Sequence, residues 1–285
     1  MLGATLVDSL KNKYEVYATG NSNFKEEYAQ YMKFDLASAS FEELINWSNP
    51  DVIIHSGALT NGNYCKENPD KALDINGLSL SKLIQATKPH VKIIYISTDA
   101  VFPSELSMAT EKDCRIPENV YGKSKEIGEF FLSNSERDYV IIRTTIVGYN
   151  LNSSKSGFVE WIINSSINME EIGLFEDVVF TPISIYDLAT EIQFLIDNKD
   201  IRRETLHITG AESCTKFEFG LELLKSLNLN TQLVKKSSIL AFTDRAKRCT
   251  DQTLSTKLYQ NKYKRELPTF SETINSLKEK YYELN

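Results

Sequence analysis

The sequence predicts a doubly wound α/β fold, a parallel sheet with helices on both faces. Three observations lead there. Short β-rich runs alternate with helical stretches through the first half of the chain. The runs are mostly apolar without clean alternation, as expected of strands covered on both faces. Strand–helix–strand repetition implies right-handed crossovers, which lay successive strands parallel.

Each element has its own signal. After Met1-Leu2-Gly3 the chain reads as a helix already under way. Glu15-Val16-Tyr17-Ala18 is a short strand stopped by Thr19-Gly20. Phe41 to Trp47 reads as a helix. Asp51-Val52-Ile53-Ile54-His55 is a stronger strand, opened by the punctuation of Asn49-Pro50. Asp70 to Ala86 places Ala72, Leu73, Ile75, Leu78, Leu80, Leu83 and Ile84 at several three- and four-residue steps, the helical period. Val91 to Ser97 is a third strand, Gly122 to Leu132 a helix, and Tyr139 to Arg143 a fourth strand. The second half is less regular: helices over Leu188 to Ile196 and Thr215 to Leu227, a short strand Thr205 to Ile208, and a terminal helix from Ser271 to Tyr282 behind Leu267-Pro268. The expected division is a larger sheet domain over 1–150 and a smaller lobe over 151–285, some segments of which return to the first domain.

Composition excludes several classes. Across 285 residues, 41% are hydrophobic and 25% charged, which suits a globular protein and not a disordered or fibrous one. Lys+Arg 32 against Asp+Glu 39 gives a net charge of −7, the wrong sign for a dedicated nucleic-acid binder. No stretch approaches the ~20 apolar residues of a membrane span. Cys65, Cys114, Cys214 and Cys249 lie far apart with no CxxC pair, as reduced intracellular thiols do. His55, His90 and His207 have no partner at metal-ligand spacing, so no metal site is expected. The start lacks a charged-then-apolar leader, and the expectation is a soluble, cytoplasmic protein.

Ligands of such sheets bind beyond the carboxyl ends of the strands. Ser97-Thr98-Asp99 ends the third strand. Tyr121-Gly122-Lys123-Ser124-Lys125 opens the helix that leads to the fourth. Tyr121 and Lys125, four apart on a helix, share one face. That spacing can bring an ammonium near a phenol, where it favours the phenolate and makes the tyrosine a better proton carrier near neutral pH. The hydroxyl of Thr98 could then hold a substrate oxygen. Such a set protonates an oxygen while hydride reaches the adjoining carbon. Alone, a Tyr-x-x-x-Lys is usually a solvated helix face; its place after Ser-Thr-Asp between two strand–helix units points to chemistry.

With these segments the chain resembles the extended short-chain dehydrogenase/reductases and, more narrowly, the dTDP-4-dehydrorhamnose reductase branch. The matching stretches also include Asp51 to Thr60, Asp74-Ile75-Asn76, Val101-Phe102, Glu118-Asn119-Val120, Ile142-Arg143-Thr144, Gly157-Phe158-Val159 and Pro182 to Ala189. The resemblance covers essentially the whole chain. It implies a Rossmann-like sheet with a substrate lobe, NADPH or NADH as cofactor, and a nucleotide sugar as substrate. Tyr121 would be the general acid for the sugar's 4-keto oxygen. Lys125 would lower its pKa and bind the nicotinamide ribose, and Thr98 would hydrogen-bond the substrate oxygen. Gly57 and Ala58 would line the adenosine–ribose edge, Asp35-Leu36 would contact adenine, and Asp99 would orient its loop. The family opens with a strand and a Gly-x-x-Gly-x-x-Gly loop; here Gly3 matches the third glycine, and the first strand is expected to be absent from the sheet.

Departures from the family pattern fall where substrate is expected. Pro103-Ser104 follows Phe102 in place of Asp-Gly, Ile146 stands where an aromatic is usual, and Phe180-Thr181-Pro182-Ile183 replaces a Ser-Pro-Thr pattern. The implied function is reduction of the 4-keto group of a nucleotide-linked 6-deoxy sugar for cell-surface polysaccharide. Two rivals are weighed with it: a nucleotide-sugar epimerase, and a non-catalytic regulatory or binding subunit like that of methionine adenosyltransferase, which resembles the same reductases. Asp99-Ala100 offers one carboxylate where dehydratases want an acid and a base. Lys235-Lys236 reads as a solvated surface pair, while Arg245, Lys247 and Arg248 could meet a diphosphate. A homodimer is left open.

Overall fold

Apolar runs bounded by turn residues become the central strands of a computed structural model, which describes residues 1–22, 30–151, 156–242, 246–247 and 249–284. Arg245 and Arg248 lie outside the described residues. The first half contains α1 (Leu2–Leu10), β1 (Tyr17–Gly20), β2 (Gln30–Lys33), α2 (Phe41–Ser48), β3 (Val52–His55), α3 (Gly62–Glu67), α4 (Pro69–Leu73), α5 (Ser79–Ala86), β4 (Lys92–Thr98), α6 (Val120–Ser133), β5 (Asp138–Thr144) and β6 (Ile146–Val147). The second half adds α7 (Phe158–Ile167), β7 (Ile172–Phe175), β8 (Val179–Phe180), β9 (Ile183–Ser184), α8 (Ile185–Asp197), β10 (Glu204–His207), β11 (Cys214–Thr215), α9 (Lys216–Ser226), β12 (Val234–Ser237), β13 (Asp251–Gln252), α10 (Lys257–Tyr263) and α11 (Phe270–Leu284).

The main sheet has the order β10-β5-β4-β3, every pair parallel. Every residue of β4 is buried, which suits its apolar run Ile93–Ile96. Its side chains alternate between faces. Ile94 and Ile96 meet Leu2, Leu6 and Leu10 of α1 and Leu188, Ile192 and Leu195 of α8. Ile93 and Tyr95 meet Phe41 and Ile45 of α2, Leu80 and Leu83 of α5, and Leu132 of α6. Helices on both faces make the molecule the doubly wound α/β fold that the sequence predicts. A second core joins Val147, Ile162, Leu174, Phe180, Phe219, Leu223 and Leu277 beside the sheet. α8, β10, Tyr259 and Leu267, all beyond residue 150, pack into the first core.

The parallel strands are split. β1 and β2 form their own two-stranded sheet, and among the described residues no strand pairs with the remaining edges of β1 and β3. Val52, Ile53 and Ile54 of β3 are accordingly only half-buried. β1 also begins two residues later than its apolar start suggests, because pairing with Gln30–Lys33 sets its register. β2 itself is polar at both ends and gave no strand signal.

The predicted Asp70–Ala86 helix is three pieces. α4 and α5 are joined by a π-helical turn over Asp74–Leu78, an insertion that often marks functional sites. Lys92 is buried at the base of β4 and donates to the carbonyls of Leu195 at 2.6 Å and Asn198 at 3.3 Å. It thereby satisfies the C-terminal end of α8, where a cation also suits the helix dipole.

Candidate active site

The site forms where β4 ends and α6 begins. Thr98 is the last residue of β4, and its hydroxyl accepts from the Ala100 N–H at 3.2 Å and donates to Asp99 Oδ1 at 2.8 Å. This caps a single 3-10 turn over Asp99–Val101. Asn119 caps α6 in the same way, accepting from the Gly122 N–H at 2.8 Å. A Cβ on Gly122 would stand 2.1 Å from the Ala100 carbonyl oxygen. Only glycine therefore lets the first turn of α6 lie this close to the Asp99–Val101 turn. The close approach puts Tyr121 beside Thr98 and Asp99.

The phenol and its neighbours have shifted acidities. Burial pushes the Tyr121 hydroxyl upward, the Asp99 carboxylate adds to this, and the Thr98 hydroxyl pulls the other way. Asp99 is itself raised by burial, against the pull of Thr98 and Lys216. Lys125 corrects the sequence expectation. Its side chain is 1% exposed, and its ammonium donates to the Ile96 carbonyl at 2.7 Å and lies 3.9 Å from the centre of the Tyr95 ring. It turns inward onto the sheet and does not contact the Tyr121 oxygen, so the phenol is not lowered. The reason is geometric: spacing of four selects a shared face, while a four-carbon side chain follows the nearest buried acceptor. Desolvation brings Lys125 down to about 7, with the Glu129 carboxylate opposing.

Asn76, in the π-helical turn, ties the site to β3. Its side chain accepts from the Leu59 N–H at 2.8 Å and donates to the Leu59 carbonyl at 3.0 Å and to Ser124 Oγ at 2.9 Å. The loop after β3 is thereby held against the helix of Tyr121. An asparagine inside an apolar helical stretch was the available signal for this role. His55 packs edge-on against Tyr95 with centroids 5.5 Å apart, and burial holds it neutral with its pKa lowered to about 3.

The residues expected at the cofactor lie at the same end of the sheet. Gly3 is in the first turn of α1, where an added Cβ would meet Ser56 Oγ at 3.2 Å. Gly57 is exposed, and a Cβ there would press Leu36 at 2.9 Å, so Gly57 and Leu36 adjoin. Ala58 is half-buried beside them. Asp35 is exposed and turns its carboxylate onto its own turn, accepting from Ala37 N–H at 3.0 Å and Ser38 Oγ at 3.1 Å. Thr144, in register with Thr98 on the neighbouring strand, buries a hydroxyl that has no hydrogen-bond partner. Glycines packed closely at Ser56 and Leu36, the exposed backbone of Gly57 and this unmatched hydroxyl fit a dinucleotide laid across the strand ends.

A cavity of about 420 Å³ lies between the loop after β4 and residues 239–242, 246–247 and 250. Ser104, Glu118, Phe175, Leu240, Phe242 and Lys247 line it. Lys247 is paired with Glu118 at 2.8 Å. Among the described residues no cluster of His, Cys, Asp and Glu could hold a metal ion, and no helix is long and apolar enough to cross a membrane.

Comparison with known proteins gives a family and a fold. Residues 1–283 match the family described as the RmlD substrate binding domain. The spore coat polysaccharide biosynthesis protein SpsK of Bacillus subtilis is 27% identical over 187 residues, 65% of this chain and 64%, less than two thirds, of that protein. A dTDP-4-dehydrorhamnose reductase ortholog of Clostridium acetobutylicum superimposes with a TM-score of 0.82 at 27% identity, covering 99% of this chain and 95% of that one. The dTDP-4-dehydrorhamnose reductase of Bacillus anthracis in complex with NADP has the same fold, with a TM-score of 0.82 at 24% identity over 96% of each chain.

Proposed function

The chain belongs to the RmlD substrate binding domain family, and from that premise we propose that it is an NAD(P)H-dependent reductase of the 4-keto group of a nucleotide-linked 6-deoxy sugar, serving cell-surface polysaccharide synthesis. The observation that supports this most is the junction of Thr98, Asp99 and Tyr121 where Gly122 seats α6 against the end of β4. Gly3, Leu36, Gly57, Ala58 and Thr144 would hold the dinucleotide, and its reduced nicotinamide would supply hydride to the sugar carbon. Tyr121 gives its proton to the ketone oxygen. Burial suits this direction of transfer, because a phenol of raised pKa stays protonated until the oxygen gains negative charge. Thr98 orients the same oxygen, and Lys125, one turn along α6 from Tyr121, would add a buried cation near the reacting end as negative charge develops. The cavity beside Phe175, Phe242 and Lys247 suits the nucleotide end of the substrate, with aromatic walls for a base and an ammonium for phosphate.

The test is cofactor oxidation with dTDP-4-keto-6-deoxyhexose. The expected result is one NAD(P)H consumed per sugar reduced. Interconversion of sugars without net cofactor consumption would instead make the protein an epimerase. Absence of consumption with every 4-keto nucleotide sugar, although cofactor binds, would make it a binding subunit.

A further inference from the structure

Glu129 stands four residues beyond Lys125 on α6, and its side chain has no exposed surface. Its Oε1 accepts from Ser97 Oγ at 2.5 Å and from Arg143 Nε at 3.0 Å. Its Oε2 accepts from Arg143 Nη2 at 2.7 Å and Arg115 Nη1 at 2.9 Å. Ser97 immediately precedes Thr98, and Arg143 immediately precedes Thr144, opposite each other in the β4–β5 register. One carboxylate thus ties the functional helix to two adjacent strand ends. The network runs on: Arg143 Nη1 lies 3.3 Å from His207 Nε2, and the guanidinium lies 4.9 Å from the Phe102 ring centre.

A buried ion pair is a poor means of stabilisation, since desolvation offsets most of the Coulomb gain. The contacts of Glu129 with Ser97 and Arg143, each next to a strand-end residue of the site, give it another use. We propose that Glu129 is a positioning residue: through Ser97 and Arg143 it holds the helix of Tyr121 and Lys125 against the strand of Thr98, and it places a negative charge one turn from Lys125. The proposal rests on the reductase reading above.

Lys125 is faced by the Ile96 carbonyl and Tyr95 ring of β4, by His55 of β3, and by Glu129 of its own helix. His55 is neutral, so the carboxylate of Glu129 is the charge that acts on the ammonium. Removing that charge leaves Arg143 as an uncompensated buried cation nearby and must make Lys125 easier to deprotonate. Removing Arg143 must do the reverse.

The experiment compares Glu129→Gln, Arg143→Gln and the double variant in the whole chain. Glu129→Gln should move the alkaline limb of the kcat profile down by about one pH unit, as loss of a nearby opposite charge does. Turnover at pH 7 should then fall about fivefold. Arg143→Gln should move the limb upward. If either single variant fails to fold, the double variant, which removes both members of the fully buried pair and leaves only the part-exposed Arg115 beside Glu126, should fold and return the limb toward its original place. Equal losses with an unmoved limb, or limbs moving in the same direction, would overturn the proposal. Lys125 titration followed by NMR reads the same charge effect without turnover. An inactive parent chain would defeat the reductase reading, whereas an unchanged Lys125 titration in Glu129→Gln would defeat this one.

Discussion

Tyr121 and Lys125 sit one turn apart on α6, and each meets a different part of β4 and the turn that follows it. Both are where a Tyr-x-x-x-Lys on a helix must put them. Their environments are set by β4: Tyr95 and the Ile96 carbonyl take the ammonium, and Asp99 faces the phenol. Tyr121→Phe removes the proton donor and little packing, so turnover should drop by ~10²–10⁴, with the melting temperature almost unchanged. Loss of the fold, or retained turnover, would contradict that role. Lys125 makes a prediction about stability. Its pKa is about 7 in the folded chain against 10.5 ordinarily. Below pH 7 both folded and unfolded chains carry the charge and its burial cost is fully in force. As pH rises toward 10.5 the folded chain has shed a proton that the unfolded chain keeps, so stability rises. Lys125→Met should therefore raise the melting temperature clearly at pH 6 and hardly at pH 10, while abolishing turnover. Parallel melting curves across that range would refute the burial argument.

At the level of elements, strands and long helices followed from apolar runs and helical periods. β4, β5, α6 and α8 lie within a few residues of their predicted bounds, because each is bounded by turn residues or a capping side chain such as Asn119 or Ser184. The π-helical turn at Asp74–Leu78 was not legible, since a bulge preserves apolar spacing on either side of it. Its purpose became visible only when Asn76 was seen bridging Leu59 and Ser124. Gly122 shows the same limit: a glycine in the first turn of a helix reads as a weak residue until the Ala100 carbonyl is found against it. Gly122→Ala must push α6 away from the Asp99–Val101 turn. Overpacking of this kind costs about 1–3 kcal/mol. Thermal unfolding should show that loss, and kcat should fall more than tenfold because Tyr121 moves with the helix. A variant with full activity and stability would mean that the close approach is not required.

Across the whole molecule, stability should be uneven. β3, β4, β5 and β10 form one continuous ladder between two helical layers, whereas β1 and β2 pair only with each other. Two-stranded pairs are marginal on their own, and local opening starts where buried contacts are few. Amide exchange should be fastest over Tyr17–Gly20 and Gln30–Lys33 and slowest over Ile93–Thr98. Equal protection in both sheets would show that packing against Trp47 and Phe41 is enough to hold β1 and β2. The ionic network of Glu129, Arg143 and Arg115 belongs to the same scale, since it joins a helix, two strands and a loop that are far apart in the chain.

The sequence by itself determined the α/β class, the central strands, the helices that cover them, and the identities of Thr98, Tyr121 and Lys125, because apolar period and short motifs are local properties. The tertiary structure alone decided which acceptor Lys125 meets, what raises the Tyr121 phenol, why Gly122 and Asn76 are needed, and that Glu129 binds Ser97 and Arg143. Those facts depend on groups brought together across 14 to 48 residues of chain, and on a buried environment in which each polar atom takes whatever partner lies within reach.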